Sequence, residues 1–280
     1  MSTPTAVTGA TGHLGGLVAG HLATADRPLR LVVRAGSVGR APRIEGAEVV
    51  VAAYDQYDVA VEALRGVEVL FMVSASESAD RLDQHRTFVD AAAAAGVRHV
   101  VYTSFLGAAA DCTFTLGRDH WATEQHLRAS GMAFTILRDS FYLDFLPDLA
   151  GPDGVIRGPA GDGRVGAVAR VDVARAAAAV LADPAAHAGR TYELTGREAF
   201  TLDEAAHILT AHGRPTTYRR ETLDEAYASR ASYGAPPWQV DAWVSTYTAI
   251  AAGELAALTD DVETLTGRAP TTLAEHLTAR

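Results

Sequence analysis

The 280-residue sequence contains no lysine and no asparagine, and it has a single cysteine, Cys112. All 24 basic residues are therefore arginines. Without lysine, no mechanism can use a lysine Schiff base. A single cysteine cannot form an internal disulfide, which predicts a reducing compartment. A lone cysteine is also more often a small buried residue than a catalytic thiol.

Long apolar runs and an excess of positive charge are also missing. No apolar stretch reaches membrane-spanning length, and the N-terminus lacks the basic and apolar regions of a secretory signal. The net charge of −10 disfavours direct binding of DNA or RNA. The ten histidines are scattered without metal-ligand spacing, so we predict no metal site. We expect a soluble, cytoplasmic protein.

The stretch 6–16 predicts a strand, a tight turn and a helix near the N-terminus. Gly9 allows the sharp turn, Gly12 allows the backbone to approach a pyrophosphate, and Gly15 allows the helix to pack closely on the strand. The helix N-terminus then offers N–H groups to phosphates. The alternative is an ordinary strand-helix turn. The residues predicted to bind a cofactor here are Gly9, Thr11, Gly12, His13 and Leu14.

The spacing G-x-x-G-x-x-G resembles that of the short-chain dehydrogenase/reductase superfamily, and this resemblance implies a nicotinamide dinucleotide. Arg34 ends the second predicted strand, where dinucleotide folds read the adenosine ribose. An arginine there favours the 2′-phosphate of NADP(H) over NAD(H), although NAD(H) stays possible. Ser37, Arg40 and Arg43 could assist. The alternative is that Arg34 is merely solvated at a strand end.

Further apolar runs predict strands at 48–52, 69–73, 97–104 and 133–138. In open α/β sheets, ligands lie outside the carboxyl ends of the strands. Tyr54 and Asp55 are therefore expected beside the adenine, and Ser74 and Ala75 beside the ribose and nicotinamide. Ser104 could hydrogen-bond the substrate or the carboxamide.

The C-terminal part is predicted to be mostly helical, because three capping boxes begin at Thr201, Thr222 and Thr272. An aromatic cluster lies within it, and we interpret most of its members as a small hydrophobic core. The cluster comprises Tyr227, Tyr233, Trp238, Trp243 and Tyr247. The side chains expected to line a substrate pocket are Phe105, Phe141, Tyr142, Tyr233 and Trp238.

Several ordered segments together resemble the NmrA-like, atypical short-chain dehydrogenases, most closely their quinone reductase and triphenylmethane reductase branch. These segments are the glycine turn, Arg34, Tyr54-Asp55, 120–124, Ser130-Gly131, 135–138, 172–174, Thr195-Gly196 and 266–270. The resemblance implies an α/β fold: a doubly wound parallel Rossmann sheet with a small, mostly helical C-terminal substrate lobe. We assign the NAD(P)-binding core to 1–150. Residues 151–280 return to the core at about 165–200 and form the lobe at about 201–280.

The sequence departs from its apparent relatives at two positions. Ala53 and Asp139 stand where an acidic residue and an asparagine are common, and an ionised Asp139 would repel a quinone oxyanion. The main branch of the superfamily uses a Tyr-x-x-x-Lys pair, and here that spacing holds His120 and Glu124. His120 is the best protein candidate for a proton donor. Its alternative role is structural, beside the nicotinamide ribose or bonded to Glu124.

These observations favour an NADPH-dependent oxidoreductase that transfers hydride to a quinone-like or conjugated small-molecule acceptor without a Tyr/Lys pair. The alternative is a non-catalytic NAD(P)-binding regulator that senses redox state and acts through a protein partner. A biosynthetic reductase for one specialised metabolite would differ from the first hypothesis only in its substrate. A homodimer is compatible with each of them.

Overall fold

The computed structural model describes residues 3–24 and 28–279. Contacts divide the chain into two compact units. The first unit comprises residues 1–104, 119–138 and 173–192, and the second comprises 105–118, 139–172 and 193–280. Segments 105–118 and 139–150, which lie inside the predicted core range 1–150, thus fall in the second unit.

Alternating strands and helices build the first part of the chain. In order they are β1 (Thr5–Thr8), α1 (His13–Leu22), β2 (Leu29–Val33), β3 (Glu48–Val51), α2 (Tyr57–Leu64), β4 (Val69–Met72), α3 (Arg81–Ala94), β5 (His99–Phe105), α4 (Thr115–Ala129) and β6 (Ala133–Asp139). A 3₁₀ helix at Ala35–Arg40 follows β2.

Shorter elements follow β6. They are α5 (Leu146–Leu149), β7 (Val155–Gly158), β8 (Arg164–Val165), α6 (Arg170–Ala182), β9 (Thr191–Leu194), β10 (Phe200–Thr201), α7 (Leu202–Ala211), β11 (Thr217–Arg220), α8 (Leu223–Arg230), α9 (Pro237–Ala251), α10 (Asp261–Thr266) and α11 (Leu273–Thr278). Further 3₁₀ helices span Leu143–Phe145, Pro184–His187 and Ala231–Tyr233. The capping boxes at Thr201, Thr222 and Thr272 are all formed, as predicted.

Among the described residues, the central sheet has the strand order β3-β2-β1-β4-β5-β6-β9. Each neighbouring pair from β3 to β5 is parallel. The order reverses between β1 and β4, which is the topological switch point of a doubly wound Rossmann fold. The predicted fold class is therefore confirmed. Small two-stranded sheets, β10-β8 and β11-β7, belong to the second unit.

Each unit has its own apolar core. In the first unit, buried side chains of α2, α3 and the strands pack around Leu70, Phe88 and Tyr102. In the second unit, the core surrounds Leu146, Ile156 and Tyr247. None of the helices within the described residues is both long enough and apolar enough to cross a membrane.

The prediction that most of the C-terminal aromatic cluster forms a core is wrong. Of its members, Tyr247 is buried, whereas Tyr227 and Tyr233 are 43% and 70% exposed. The reason is that α8 and the following 3₁₀ helix turn these rings outward. The Tyr227 hydroxyl donates instead to Asp241 at the surface, at 2.9 Å.

Candidate active site

The glycine turn adopts the geometry that its spacing predicts. Gly9 has a φ of +62°, and its carbonyl accepts a hydrogen bond from the Gly12 N–H at 2.8 Å. A Cβ atom on Gly15 would lie 2.3 Å from the Gly9 carbonyl oxygen and 2.8 Å from that of Thr8. No side chain fits there, so α1 can approach β1 this closely only with glycine at position 15.

The N-terminus of α1 is suited to bind phosphate. Gly12 precedes the helix, no side chain caps its first turn, and that turn contains no acidic residue. Gly12 and His13 are exposed, whereas Leu14 is buried in the core. The N–H groups of the first turn and the helix dipole therefore favour an anion at this position.

Arg34 lies directly after β2 and is exposed. Its carbonyl accepts a hydrogen bond from the Ser37 N–H at 2.8 Å, and this begins the following 3₁₀ helix. The Arg40 guanidinium donates to the buried Ser37 hydroxyl at 2.9 Å, so these two predicted helpers bind each other. Within the ranges described, the Arg34 side chain makes no hydrogen bond or ion pair. It is thus available to an anionic ligand.

Tyr54 connects β1 and β4 through its hydroxyl group. The hydroxyl donates to the Val73 carbonyl at 2.5 Å and lies 2.6 Å from the Thr8 Oγ1. The ring stacks on Phe88 with a centroid distance of 4.2 Å. Asp55, the next residue, is exposed. The hydroxyl is therefore occupied by protein, and contact with an adenine ring stays a prediction for Tyr54 and Asp55.

The loop after β4 is held by buried side chains that sequence reasoning did not single out. The Ser74 N–H donates to Thr103 Oγ1 at 2.9 Å, and the Ala75 N–H donates to His85 Nε2 at 2.8 Å. The Ala75 carbonyl accepts from Arg81 Nε at 3.0 Å. The backbone of Ser74 and Ala75 is consequently fixed at the carboxyl end of β4.

His120 is a buried imidazole with both ring nitrogens in contact with protein. Arg81 Nη2 donates to its Nε2 at 2.9 Å, and its Nδ1 lies 3.0 Å from the Tyr102 hydroxyl. Burial and the neighbouring Arg81 guanidinium hold the pKa of His120 well below its ordinary value. The ring is therefore neutral at pH 7. These contacts favour a structural role, and proton donation by His120 stays a prediction.

Glu124, one helical turn beyond His120, is fully buried. The Arg138 guanidinium binds its two carboxylate oxygens, at 2.9 and 2.7 Å, and the Ser104 hydroxyl donates to it at 2.6 Å. This bidentate pair gives Glu124 strong partners inside the fold. The Ser104 hydroxyl is used within this group of side chains, and a bond from it to a ligand stays a prediction.

In the second unit, Asp139 ends β6 and is 1% exposed. Its Oδ2 accepts a hydrogen bond from the Tyr142 hydroxyl at 2.6 Å. Burial raises the pKa of Asp139 to about 8, against a smaller opposing effect of the Tyr142 hydroxyl. The carboxyl group is thus mainly protonated at neutral pH. The repulsion between an ionised Asp139 and a quinone oxyanion does not arise in that state.

The residues predicted to line a substrate pocket differ in exposure. Phe105, Phe141, Tyr142 and Trp238 are each partly buried, whereas Tyr233 is mostly exposed. Phe105 packs on Phe114 with a ring distance of 4.7 Å, and Phe141 packs on Phe145 at 5.9 Å. Tyr233 contacts Trp243 edge to face at 6.0 Å. Contact of any of them with a substrate stays a prediction.

Sequence reasoning did not single out Arg81, His85 and Thr123. Arg81 hydrogen-bonds to His120 and to the loop after β4, and His85 hydrogen-bonds to the same loop and to Thr123. His85 accepts at Nε2 from Ala75, so its Nδ1 carries the proton and donates to Thr123 Oγ1 at 2.9 Å. A weak signal was present: Arg81 and His85 are four residues apart, which places both on one face of α3. Their partners on α4 could not be identified from spacing.

The fold and the turn define a dinucleotide-binding protein of the short-chain dehydrogenase type. The residues fit such a cofactor, because the turn leaves no room for a Cβ atom on Gly15 and the uncapped end of α1 precedes an exposed Arg34. The NmrA-like family model matches residues 1–229. The chain belongs to the NmrA-like family.

Comparison with known proteins identifies relatives over nearly the whole chain. Quinone oxidoreductase 2 of Escherichia coli (strain K12) is 36% identical over 97% of this chain and 96% of its own length. The structure of an NADPH-dependent quinone oxidoreductase from E. coli with NADPH superposes with a TM-score of 0.88, at 34% identity, over 98% of this chain and 99% of that one. The Citrobacter sp. triphenylmethane reductase with NADP(H) gives 0.86 at 32%, with the same coverage of 98% and 99%.

Proposed function

We propose that this protein is an NADPH-dependent oxidoreductase that reduces quinone-like or conjugated aromatic acceptors. The observation that carries the proposal is the phosphate-binding turn with Arg34 at the end of β2, in a chain similar throughout its length to a quinone oxidoreductase. The arginine favours the 2′-phosphate of NADP(H) by its charge and by bidentate donation. NAD(H) lacks that phosphate and would bind more weakly.

The cofactor would be held by the first unit. The N–H groups at the start of α1 would bind the pyrophosphate, and Arg34 would bind the ribose 2′-phosphate. The fixed backbone of Ser74 and Ala75 would position the nicotinamide side of the molecule. When bound, NADPH supplies the hydride.

The reaction does not require the Tyr/Lys pair of alcohol dehydrogenases. The positions with that spacing hold His120 and Glu124, and both are bound inside the protein by arginines. A quinone or a cationic dye is already electrophilic, so the protein needs only to position it and exclude water. The aromatic rings of Phe105, Phe141 and Tyr142 are suited to pack on a flat acceptor.

The experiment that tests the proposal is consumption of NADPH by the purified protein with a panel of quinones and triarylmethane dyes, with NADH in parallel. We expect turnover with at least one acceptor class and a preference for NADPH. Measurable NADPH binding without any turnover would contradict the proposal. It would instead favour a regulator, particularly if oxidised and reduced cofactor bound with different affinities.

Three further properties belong to the same proposal. The acidic charge favours a small-molecule acceptor over direct binding of nucleic acid. The single cysteine is compatible with the reducing cytoplasm. A homodimer would give twice the monomer mass of 29.4 kDa in light scattering.

A further inference from the structure

One carboxyl oxygen of the Asp139–Tyr142 pair has no hydrogen-bond partner among the described residues. Asp139 Oδ1 and the adjacent Ser140 Oγ are buried and have no hydrogen-bond partner among the described residues. An unpartnered buried carboxylate oxygen is unfavourable, and a proton on the carboxyl group reduces that cost. The burial of Asp139 and its Oδ2–Oη distance of 2.6 Å therefore suit a neutral acid next to a phenol.

The backbone around this pair is firmly fixed. The Asp139 carbonyl accepts from the Leu106 N–H and the Ser140 N–H donates to the Leu194 carbonyl, each at 2.9 Å. Beyond them, the Leu143 N–H donates to the Val168 carbonyl at 3.0 Å, and Tyr142 forms a parallel bridge with Val168. The carboxyl and the phenol are thus held in place before any ligand binds, as efficient proton transfer requires.

The charged groups that face Tyr142 come from two elements. The Arg170 guanidinium lies over the ring of Tyr142 at 5.2 Å and over that of Phe145 at 4.3 Å. Asp144 lies 3.9 Å from Arg170 and accepts its backbone N–H at 3.0 Å. Burial and the neighbouring Asp139 hold the pKa of the Tyr142 phenol well above its ordinary value. The phenol alone is therefore a weak acid.

We propose that Asp139 and Tyr142 act as one proton-donating pair for acceptors that become oxyanions on reduction. The proposal rests on the proposed function. When an acceptor binds, the Tyr142 O–H turns from Asp139 Oδ2 to the acceptor oxygen, and the protonated carboxyl donates to the phenolic oxygen across the same 2.6 Å contact. The O–H bond of Tyr142 then breaks as its proton moves to the acceptor oxygen, and the O–H bond of the carboxyl breaks as its proton moves to the phenolic oxygen. The phenol is thereby restored and Asp139 becomes a carboxylate, which takes up a proton from water before the next turnover. Because the two protons move together, a phenolate is never left in the buried site.

The chemistry of the two acceptor classes separates this role from a structural one. A quinone that accepts hydride becomes a hydroquinone anion and needs a proton. A triarylmethyl cation that accepts hydride becomes a neutral product and needs none. A proton donor is consequently required for the quinone and is irrelevant for the dye, whereas folding and cofactor binding are required for both.

The test measures kcat for a quinone and for a triarylmethane dye in Asp139→Asn and Tyr142→Phe. We expect kcat for the quinone to fall roughly 100-fold in each variant, the size of a typical general-acid effect, and kcat for the dye to change less than about threefold. Tyr218→Phe is the matched control, since it removes another hydroxyl that donates to protein, at 2.7 Å from the Gly158 carbonyl. Equal losses with both acceptors, or no loss with either, would overturn the proposal.

A second measurement does not depend on turnover. Infrared difference spectra between the wild type and Asp139→Asn, recorded without cofactor, report the protonated carboxyl group directly. We expect its band at pH 6 and its loss as the pH rises through the pKa of Asp139, which is about 8. An ionised Asp139 at pH 6 would overturn the pair even if the enzyme reduced both acceptors. A protein that showed the band but reduced no acceptor would overturn the proposed function, and with it the role of the pair in catalysis.

Discussion

Arg81 Nη2 lies 2.9 Å from His120 Nε2, so a buried guanidinium faces a neutral imidazole. The residue Arg81 is 3% exposed, and Asp119 lies 3.5 Å from its Nη1. Its other contact, with the Ala75 carbonyl, extends from α3 to the loop after β4. One side chain therefore fixes both His120 and the loop that we expect to position the nicotinamide.

Arg81→Met is expected to destabilise the protein by about 2–3 kcal/mol, because it removes charged hydrogen bonds from a buried site. Urea unfolding measures this change. The pKa of His120, followed by NMR, should rise because the guanidinium helps to lower it. Arg86→Met is the control on the same helix; Arg86 is an exposed residue 3.5 Å from Asp83, and its loss should change stability by less than about 0.5 kcal/mol. An unchanged His120 pKa in Arg81→Met would contradict this account.

Gly15→Ala should destabilise the protein by about 1–3 kcal/mol and weaken NADPH binding. The added methyl group would lie 2.3 Å from the Gly9 carbonyl oxygen, so α1 must move away from the turn. Gly20→Ala on the same helix is the matched control, since its Cβ meets nothing within 4 Å. It should stabilise by roughly 0.5–1 kcal/mol, as alanine does in helices. Thermal unfolding and titration with NADPH measure both effects, and similar results for the two variants would refute the steric argument.

Arg34→Ala should weaken binding of NADPH by about 10- to 100-fold and leave binding of NADH nearly unchanged. The reason is that charged hydrogen bonds to the 2′-phosphate contribute about 1.5–3 kcal/mol and NADH has no such phosphate. Fluorescence titration with the two cofactors measures the ratio. Arg65→Ala, which removes an exposed arginine paired with Glu62, should leave both affinities unchanged. Equal losses for NADPH and NADH in Arg34→Ala would mean that Arg34 does not read the phosphate.

The parts of the fold that sequence predicted are those with strong local signals. Apolar runs located β4 and β6 to within one residue at either end, and the capping boxes located α7, α8 and α11. Helix α4 begins at Thr115, although its first turn lacks an apolar pattern that would predict a helix there. Strand β3 lies at the edge of the sheet, and its Val49 and Val51 are 40% and 41% exposed despite their apolar character.

The candidate site was less predictable, because its polar contacts join distant segments. Glu124 and Arg138 pair across 14 positions, and Arg81 and His120 across 39. Local spacing contains no information on such pairs. The protonation of Asp139 depends on burial by the surrounding fold, and the sequence alone therefore suggested a carboxylate that would oppose quinone reduction.

Asp139 should make the stability of the protein depend on pH between the pKa values of its carboxyl group in the unfolded and folded states. The folded pKa of about 8 lies above the ordinary value of 3.8, so between these values the folded protein binds a proton that the unfolded chain has lost. The stability contributed by this group is therefore complete below about pH 4 and falls as the pH rises, until it levels off above pH 8. The separation of the two pKa values corresponds to roughly 6 kcal/mol.

Asp139→Asn should remove this pH dependence, because the amide has nearly the same shape and does not ionise. His85 and His120 act in the opposite direction at lower pH, since burial lowers the pKa of each. The difference in unfolding free energy between variant and wild type at each pH therefore isolates the carboxyl group. Urea unfolding at pH 5, 7 and 9 should show that the variant gains stability relative to the wild type as the pH rises. A constant difference across this range would mean that Asp139 ionises in the folded protein as it does in the unfolded chain.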